Sequence, residues 1–134
     1  MHNFILTILL AAASTSVSAE WIVVGNSGIA SDINSFNVYG DPATIRRSGD
    51  IVKMWFMFDF KSPQVEEGHR YLSQMILGEF DCKEELIRAI YMKMHAGNLG
   101  LGQVVHTNST PRKWVPVSPG SVNEGEWKLA CTNA

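Results

Sequence analysis

The chain is written largely in a period of two. From Gly49 to Phe60, the side chains of Val52, Met54, Phe56, Phe58 and Phe60 fall on one side of an extended backbone. Ile51, Lys53, Trp55, Met57 and Asp59 fall on the other. Alternation of this length predicts a strand, because successive side chains on a pleated backbone point to opposite faces. Shorter strands are predicted at Glu20–Gly25 and Phe36–Gly40, each followed by turn residues, and at Tyr71–Cys82 and Gln103–Thr107. The stretch from Asp41 to Arg47 reads as a turn with one helical turn after it, since Asp can cap a helix and Pro is tolerated at its first position.

Two segments depart from this period. Between Lys83 and His95, Leu86, Ile87, Ile90 and Met94 make a helical stripe, and Glu84 stands four residues before Arg88, so the local pattern leans towards helix. Near the end, Ser118-Pro119-Gly120-Ser121 supplies a start signal, and Val122, Leu129 and Ala130 share one helical face, which predicts a helix from Val122 to Cys131. Strands first and a helix last give an α+β fold: a single domain in which an antiparallel β-sheet carries a packed C-terminal α-helix.

The second face of the strongest strand admits two readings. In one, the C-terminal helix covers it through Val122, Leu129 and Ala130. In the other, Lys53, Trp55 and Met57 form an exposed patch for a partner protein or for a second copy in a homodimer, since large apolar surface tends to mark contacts.

The start of the chain has a different character. An apolar run from Phe4 to Ala13 precedes small residues ending Val17-Ser18-Ala19, and Glu20 follows. The run is shorter than the ~20 residues a membrane span needs, and small residues at 17 and 19 suit a signal peptidase. Residues 1–19 are therefore expected to be a signal peptide, cut between Ala19 and Glu20, and residues 20–134 the domain. The leader carries no Lys, Arg, Asp or Glu, so the domain keeps all 11 basic and 13 acidic side chains, a net charge near −2. So weak a balance gives no broad field for nucleic acid, and no second apolar run predicts a transmembrane segment.

Export changes the meaning of the cysteines. Cys82 and Cys131 are an even pair in an exported chain, which reads as one disulfide, with two buried thiols as the alternative. The bridge would fasten the C-terminal helix to the sheet. Their spacing is not that of a zinc or redox motif.

Candidate chemistry is sparse. The chain has no Gly-x-Ser-x-Gly elbow, no His-Glu-x-x-His and no phosphate-binding loop, so the reading is non-catalytic and without a cofactor. Gly97 to Gly102 is glycine-rich, but its spacing is that of a hairpin connection. Glu66-Glu67 and Glu84-Glu85 are neighbours that would point to opposite faces of a strand. Within Tyr91-Met92-Lys93-Met94-His95, an extended backbone would turn Tyr91, Lys93 and His95 one way and both methionines into the core. With His69 and His106, these residues raise a haem or metal site as a rival reading, although the histidines follow no ligand spacing. Arg46-Arg47, Lys53, Lys61 and Arg112-Lys113 are solvated cations in the simplest reading, with Arg46 or Arg47 pairing to Asp41 or Asp50. In another, they gather into a patch for acidic proteins or sulfated glycans. Asn108-Ser109-Thr110 matches a glycosylation acceptor but reads as a polar turn.

Four local strings, in order, carry a resemblance. They are Asp41 to Gly49 leading into Val52-Lys53-Met54-Trp55, then Glu79-Phe80-Asp81-Cys82-Lys83, then Gly100 to Val105, then Trp114 to Ser121 with a cysteine near the end. Together they resemble the surface-adhesin E family of small exported bacterial proteins. The resemblance implies a compact antiparallel sheet with a C-terminal helix, and it turns Lys83–His95 from helix to strand. It also implies a bacterial cell-envelope setting, with adhesion to host matrix proteins in the member that gives the family its name. The expected location is periplasm or cell surface, and the expected partner a host extracellular-matrix protein or another envelope protein. A periplasmic housekeeping or small-ligand-binding role is the rival from a different class.

Overall fold

The computed structural model describes residues 20–28 and 31–133. The expected leader, including the Ala19 side of its cut, lies outside the described residues, and Glu20 opens the described part as an exposed residue. Among the described residues, β1 (Ile22–Asn26), β2 (Phe36–Ser48), β3 (Ile51–Glu66), β4 (His69–Asp81), β5 (Leu86–His95), β6 (Val104–Asn108) and β7 (Val115–Pro116) precede one helix, α1 (Val122–Thr132). The strands form a single antiparallel sheet in the order β1-β2-β3-β4-β5-β6, with β7 pairing the start of β5 on the edge whose far end pairs with β6. From β1 to β6 each strand therefore pairs with its neighbour in sequence, the arrangement that short hairpin connections favour, while β7 skips β6 to pair with β5.

Two sequence expectations are corrected by bulges. Asp41 to Arg47 is not a helical turn but part of β2, which pairs with β3 on both sides of an irregularity between Asp41 and Arg46. There Asp41 accepts the Ala43 N–H at 3.1 Å. Thr44 Oγ1 donates to the Asp41 carbonyl at 2.7 Å and accepts the Trp55 N–H at 3.0 Å. These side-chain bonds replace the ladder over the extra residues. In Lys83–His95 the local leaning to helix is corrected, and the strand that the resemblance implies forms as β5 from Leu86 on. Asp81 accepts the N–H groups of Lys83 and Glu84, turning the chain into β5. Within β5, Ala89 pairs with Gly78 and Tyr91 with Leu77, leaving Ile90 as an extra residue. The bulge flips the alternation, so Ile87 before it and Met92 and Met94 after it all reach the core.

The core lies between one sheet face and α1. Val38, Val52, Met54, Phe56, Phe80 and Met94 are buried there, with Val122, Trp127, Leu129 and Ala130 packed from the helix. α1 starts at Ser121, whose hydroxyl accepts the Glu124 N–H at 3.3 Å. The Trp127 indole N–H donates to the Asp81 carbonyl at 3.0 Å, and beside it the Cys82–Cys131 disulfide joins sheet to helix across a sequence separation of 49. The helix thus covers the Val52 and Met54 face, which corrects the reading that it covers Lys53, Trp55 and Met57.

Two glycines let the layers approach. A Cβ at Gly40 would meet Leu129 and Met54, and one at Gly125 would run into the Val24 carbonyl oxygen. Alanine at Gly125 would gain about 1 kcal/mol of helix propensity, but the clash is with backbone that cannot rotate away. Gly125→Ala is therefore expected to destabilise the fold by about 2 kcal/mol net of that gain, read as a lower urea midpoint.

Candidate functional site

The face of the sheet opposite α1 carries cross-strand rows set by register. One row is Arg46, Lys53, Glu79 and Arg88 across β2 to β5; the next is Asp41, Trp55, Leu77 and Tyr91; the next is Tyr39, Met57, Met75 and Lys93. The odd positions of β3, whose face admits two readings in the sequence, belong here.

Of the three residues singled out in sequence, Lys53 is exposed and Trp55 is half-buried, while Met57 is fully buried. Met57 is roofed by the chain after β5, where a 3-10 turn at Asn98–Gly100 lies on Met57 and Met75. That turn is pinned from below. Asp59 accepts the Leu99 N–H at 2.8 Å and an Asn98 side-chain N–H at 3.0 Å, and Ser73 Oγ donates to the Gly97 carbonyl at 2.7 Å while accepting the Gly100 N–H at 2.9 Å. The turn closes one end of the face and stops short of Trp55.

What stays open is aromatic and cationic. Tyr91 meets Trp55 edge-on with ring centroids 5.9 Å apart, and Lys93 Nζ lies 5.5 Å from the centre of the Trp55 ring. At the next row Arg88 bonds Glu79 at 2.9 Å and lays its guanidinium 4.6 Å from the centre of the Trp114 ring. Trp114 was in a string used for family likeness, but nothing in the sequence tied it to Arg88. Beside Trp55, the β2 bulge raises Ala43 and Thr44 into the wall of a groove of about 530 Å³, with Leu77 on its lining and Arg46 and Lys53 at its rim. Arg46 and Arg47 do not pair with Asp41 or Asp50; Arg46 donates to the carbonyls of Ala43 and Ile45, and Arg47 to that of Gly49.

Other candidate chemistry is dispersed. A second depression of about 560 Å³, near Ser27, Phe36 and Asn98, includes Asp59, whose carboxylate is already engaged by the 98–100 turn. His69 and His106, far apart in sequence, stack with centroids 4.9 Å apart, and His106 Nε2 lies 3.5 Å from Glu67. His95 is apart from them, buried with Nδ1 3.4 Å from the Gly102 carbonyl. Among the described residues no three His, Cys, Asp or Glu side chains are placed to hold a metal ion. Tyr91 and Lys93 face the aromatic patch, and Met92 and Met94 face the core. Tyr71 is pushed above the usual phenol range by burial, and then by the Glu66 carboxylate.

Sequence reasoning missed Glu126. It lies in α1 four residues after Val122 and four before Ala130, on the stripe that faces the sheet, and is fully buried with neither carboxylate oxygen hydrogen-bonded. Burial pushes its pKa from 4.5 up to about 8. The helical spacing that predicted α1 could have flagged it.

Comparison with known proteins joins these features to a family. Crystal form II of Haemophilus influenzae protein E matches with a TM-score of 0.63 and 13% identity over 89% of this chain and 92% of that one. Protein E from non-typeable Haemophilus influenzae matches with a TM-score of 0.60 and 13% identity over 88% and 79%. At this identity the likeness is one of fold. A search of curated protein sequences finds no match. The family model for surface-adhesin protein E matches residues 21–132, nearly the whole described domain. The chain belongs to the surface-adhesin protein E family, and it is adhesin-like in fold and in family.

Proposed function

We propose that this protein is an exported, non-catalytic adhesin-like module that binds another protein, in the host matrix or in the bacterial envelope, through the sheet face left open by α1. The observation that carries the reading is the placement of Trp55 and Tyr91. They stand half-buried on a sheet face where, among the described residues, no layer covers them, beside a groove and among cations, where a partner could bury them further. Aromatic and Arg side chains in such settings supply much of the energy at protein interfaces. No helix among the described residues is long and apolar enough to cross a membrane, and export in this reading rests on the leader pattern of residues 1–19.

Two measurements test this. N-terminal sequencing of protein from the native envelope should begin at Glu20, and protease treatment of intact cells should remove it from the surface. Saturable binding of the Glu20–Ala134 protein to at least one of a panel of purified extracellular-matrix proteins is expected. A protein fully protected inside intact cells, together with a panel that shows no saturable binding, would sink the host-adhesion reading.

A further inference from the structure

We infer that the open sheet face is built for an acidic segment of its partner, one that presents a bulky apolar side chain between carboxylates. This rests on the partner-binding reading above and names the chemistry of that partner.

Charge is the first observation. The protein is slightly acidic overall, at −2, yet the open face around Trp55 is not; Asp81, at the far end of that face opposite Ile51, is turned to the N–H groups of Lys83 and Glu84. The row Arg46, Lys53, Glu79, Arg88 sets three cations against one carboxylate, and that carboxylate is held by Arg88 at 2.9 Å. In the next row the lone acid, Asp41, is 3% exposed and turned to its own backbone. Lys93 then borders the Trp55 ring from the other side. Arg46, Lys53 and Lys93 thus surround Trp55, and neither carboxylate of the adjoining rows pairs with any of them. Asp59, further along the face, is occupied by the 98–100 turn.

Shape is the second. The groove between the β2 bulge and the sheet is walled by Ala43, Thr44, Trp55 and Leu77, and it has room for a side chain of Leu or Phe size. A purely electrostatic ligand such as a sulfated glycan would use the cations and leave the groove empty. A peptide with an apolar anchor uses both. Complementary charge around an apolar anchor gives register and selectivity as well as attraction.

The test is fluorescence polarisation on the Glu20–Ala134 protein. Its probes are a labelled acidic peptide with one central phenylalanine, a basic peptide with the same centre, an acidic peptide with a central glycine, and a heparin hexasaccharide. The acidic phenylalanine peptide should bind tightest, and its affinity should drop roughly tenfold between about 50 and 300 mM salt. Arg46→Glu with Lys53→Glu, both exposed and confirmed folded by an unchanged melting curve, should weaken it about tenfold or more. Trp55→Ala should weaken it comparably, as should the glycine centre. Equal or tighter binding of the basic peptide, or indifference to the charge reversal, overturns the inference. So does heparin binding that depends on Lys53 and ignores Trp55. Matrix-protein binding that needs Trp55 but survives the charge reversal would reject the acidic partner while leaving the partner-binding reading in place.

Discussion

Replacing Glu126 with methionine is expected to stabilise the protein most at mildly alkaline pH, and to flatten a stability profile that in the native protein falls as pH rises. Glu126 sits fully buried on the sheet-facing stripe of α1 with no hydrogen-bond partner, and its pKa is raised from 4.5 to about 8. Below 4.5 the carboxyl is protonated in both folded and unfolded chains, so it adds no pH dependence. Between 4.5 and 8 the folded chain keeps a proton that the unfolded chain releases, and stability falls with pH. Above 8 both are ionised and the penalty is complete. At roughly 1.4 kcal/mol per pKa unit the whole window costs about 5 kcal/mol. Glu126→Met keeps the length of the side chain and removes the charge, and substituting an apolar group for an unpaired buried one is commonly stabilising. Glu126→Gln should flatten the pH profile but gain less, because the amide is still unbonded in the core. Urea unfolding at pH values on either side of this window checks both. A native profile that is flat from pH 5 to about 8 would contradict the placement of Glu126.

The second large effect is loss of the disulfide. Cys82→Ala with Cys131→Ala should cost about 4 kcal/mol, from the entropy of closing a loop with a sequence separation of 49. That is a large share of the 5–15 kcal/mol typical of a whole domain. The loss should concentrate on α1, since the bridge fixes its last turn and Trp127 anchors the turn before. Glu126→Met in the same chain should restore most of what the cysteines lose, because both changes act on the docking of one helix. Hydrogen exchange is the check: α1 amides should exchange much faster in the disulfide variant, while those of β3 and β4 change less. Uniform loosening of sheet and helix would show that the bridge stabilises the whole domain without favouring the helix.

What the sequence made legible follows from how far each signal is local. β3 was readable because ten residues alternate without interruption, and α1 because its start signal and stripe are contained within a few turns. β5 was not readable from pattern. Ile90 is an extra residue in its ladder, and the flip it causes makes a strand look helical. The family-like strings corrected that reading because they carry position and not period. Residues 41–47 failed for a related reason: Asp41 and Thr44 are residues of caps and turns, and here they bridge a bulge inside a strand. On the site, the alternation of β3 put Lys53, Trp55 and Met57 on one face correctly, but only the fold shows that the 98–100 turn buries Met57 and spares Trp55. Tyr91, Lys93 and Arg46 join Trp55 through pairing registers, which no local reading supplies. The same holds for His69 and His106, which meet only because the β3–β4 hairpin carries Glu67 and His69 to β6.

The open face opposite α1 is the working surface in this account, and one comparison tests it most directly. A matrix protein that binds the Glu20–Ala134 chain is titrated against three forms of it: native, Trp55→Ala with Tyr91→Ala, and Lys128→Ala on the outer side of α1. Lys128 is exposed and, among the described residues, its ammonium pairs only with Glu124 on its own helix, so its loss leaves the sheet untouched. The account predicts at least a tenfold loss of affinity for the aromatic double variant, with its melting curve still cooperative, and native affinity for Lys128→Ala. Undiminished binding by the aromatic variant would contradict it.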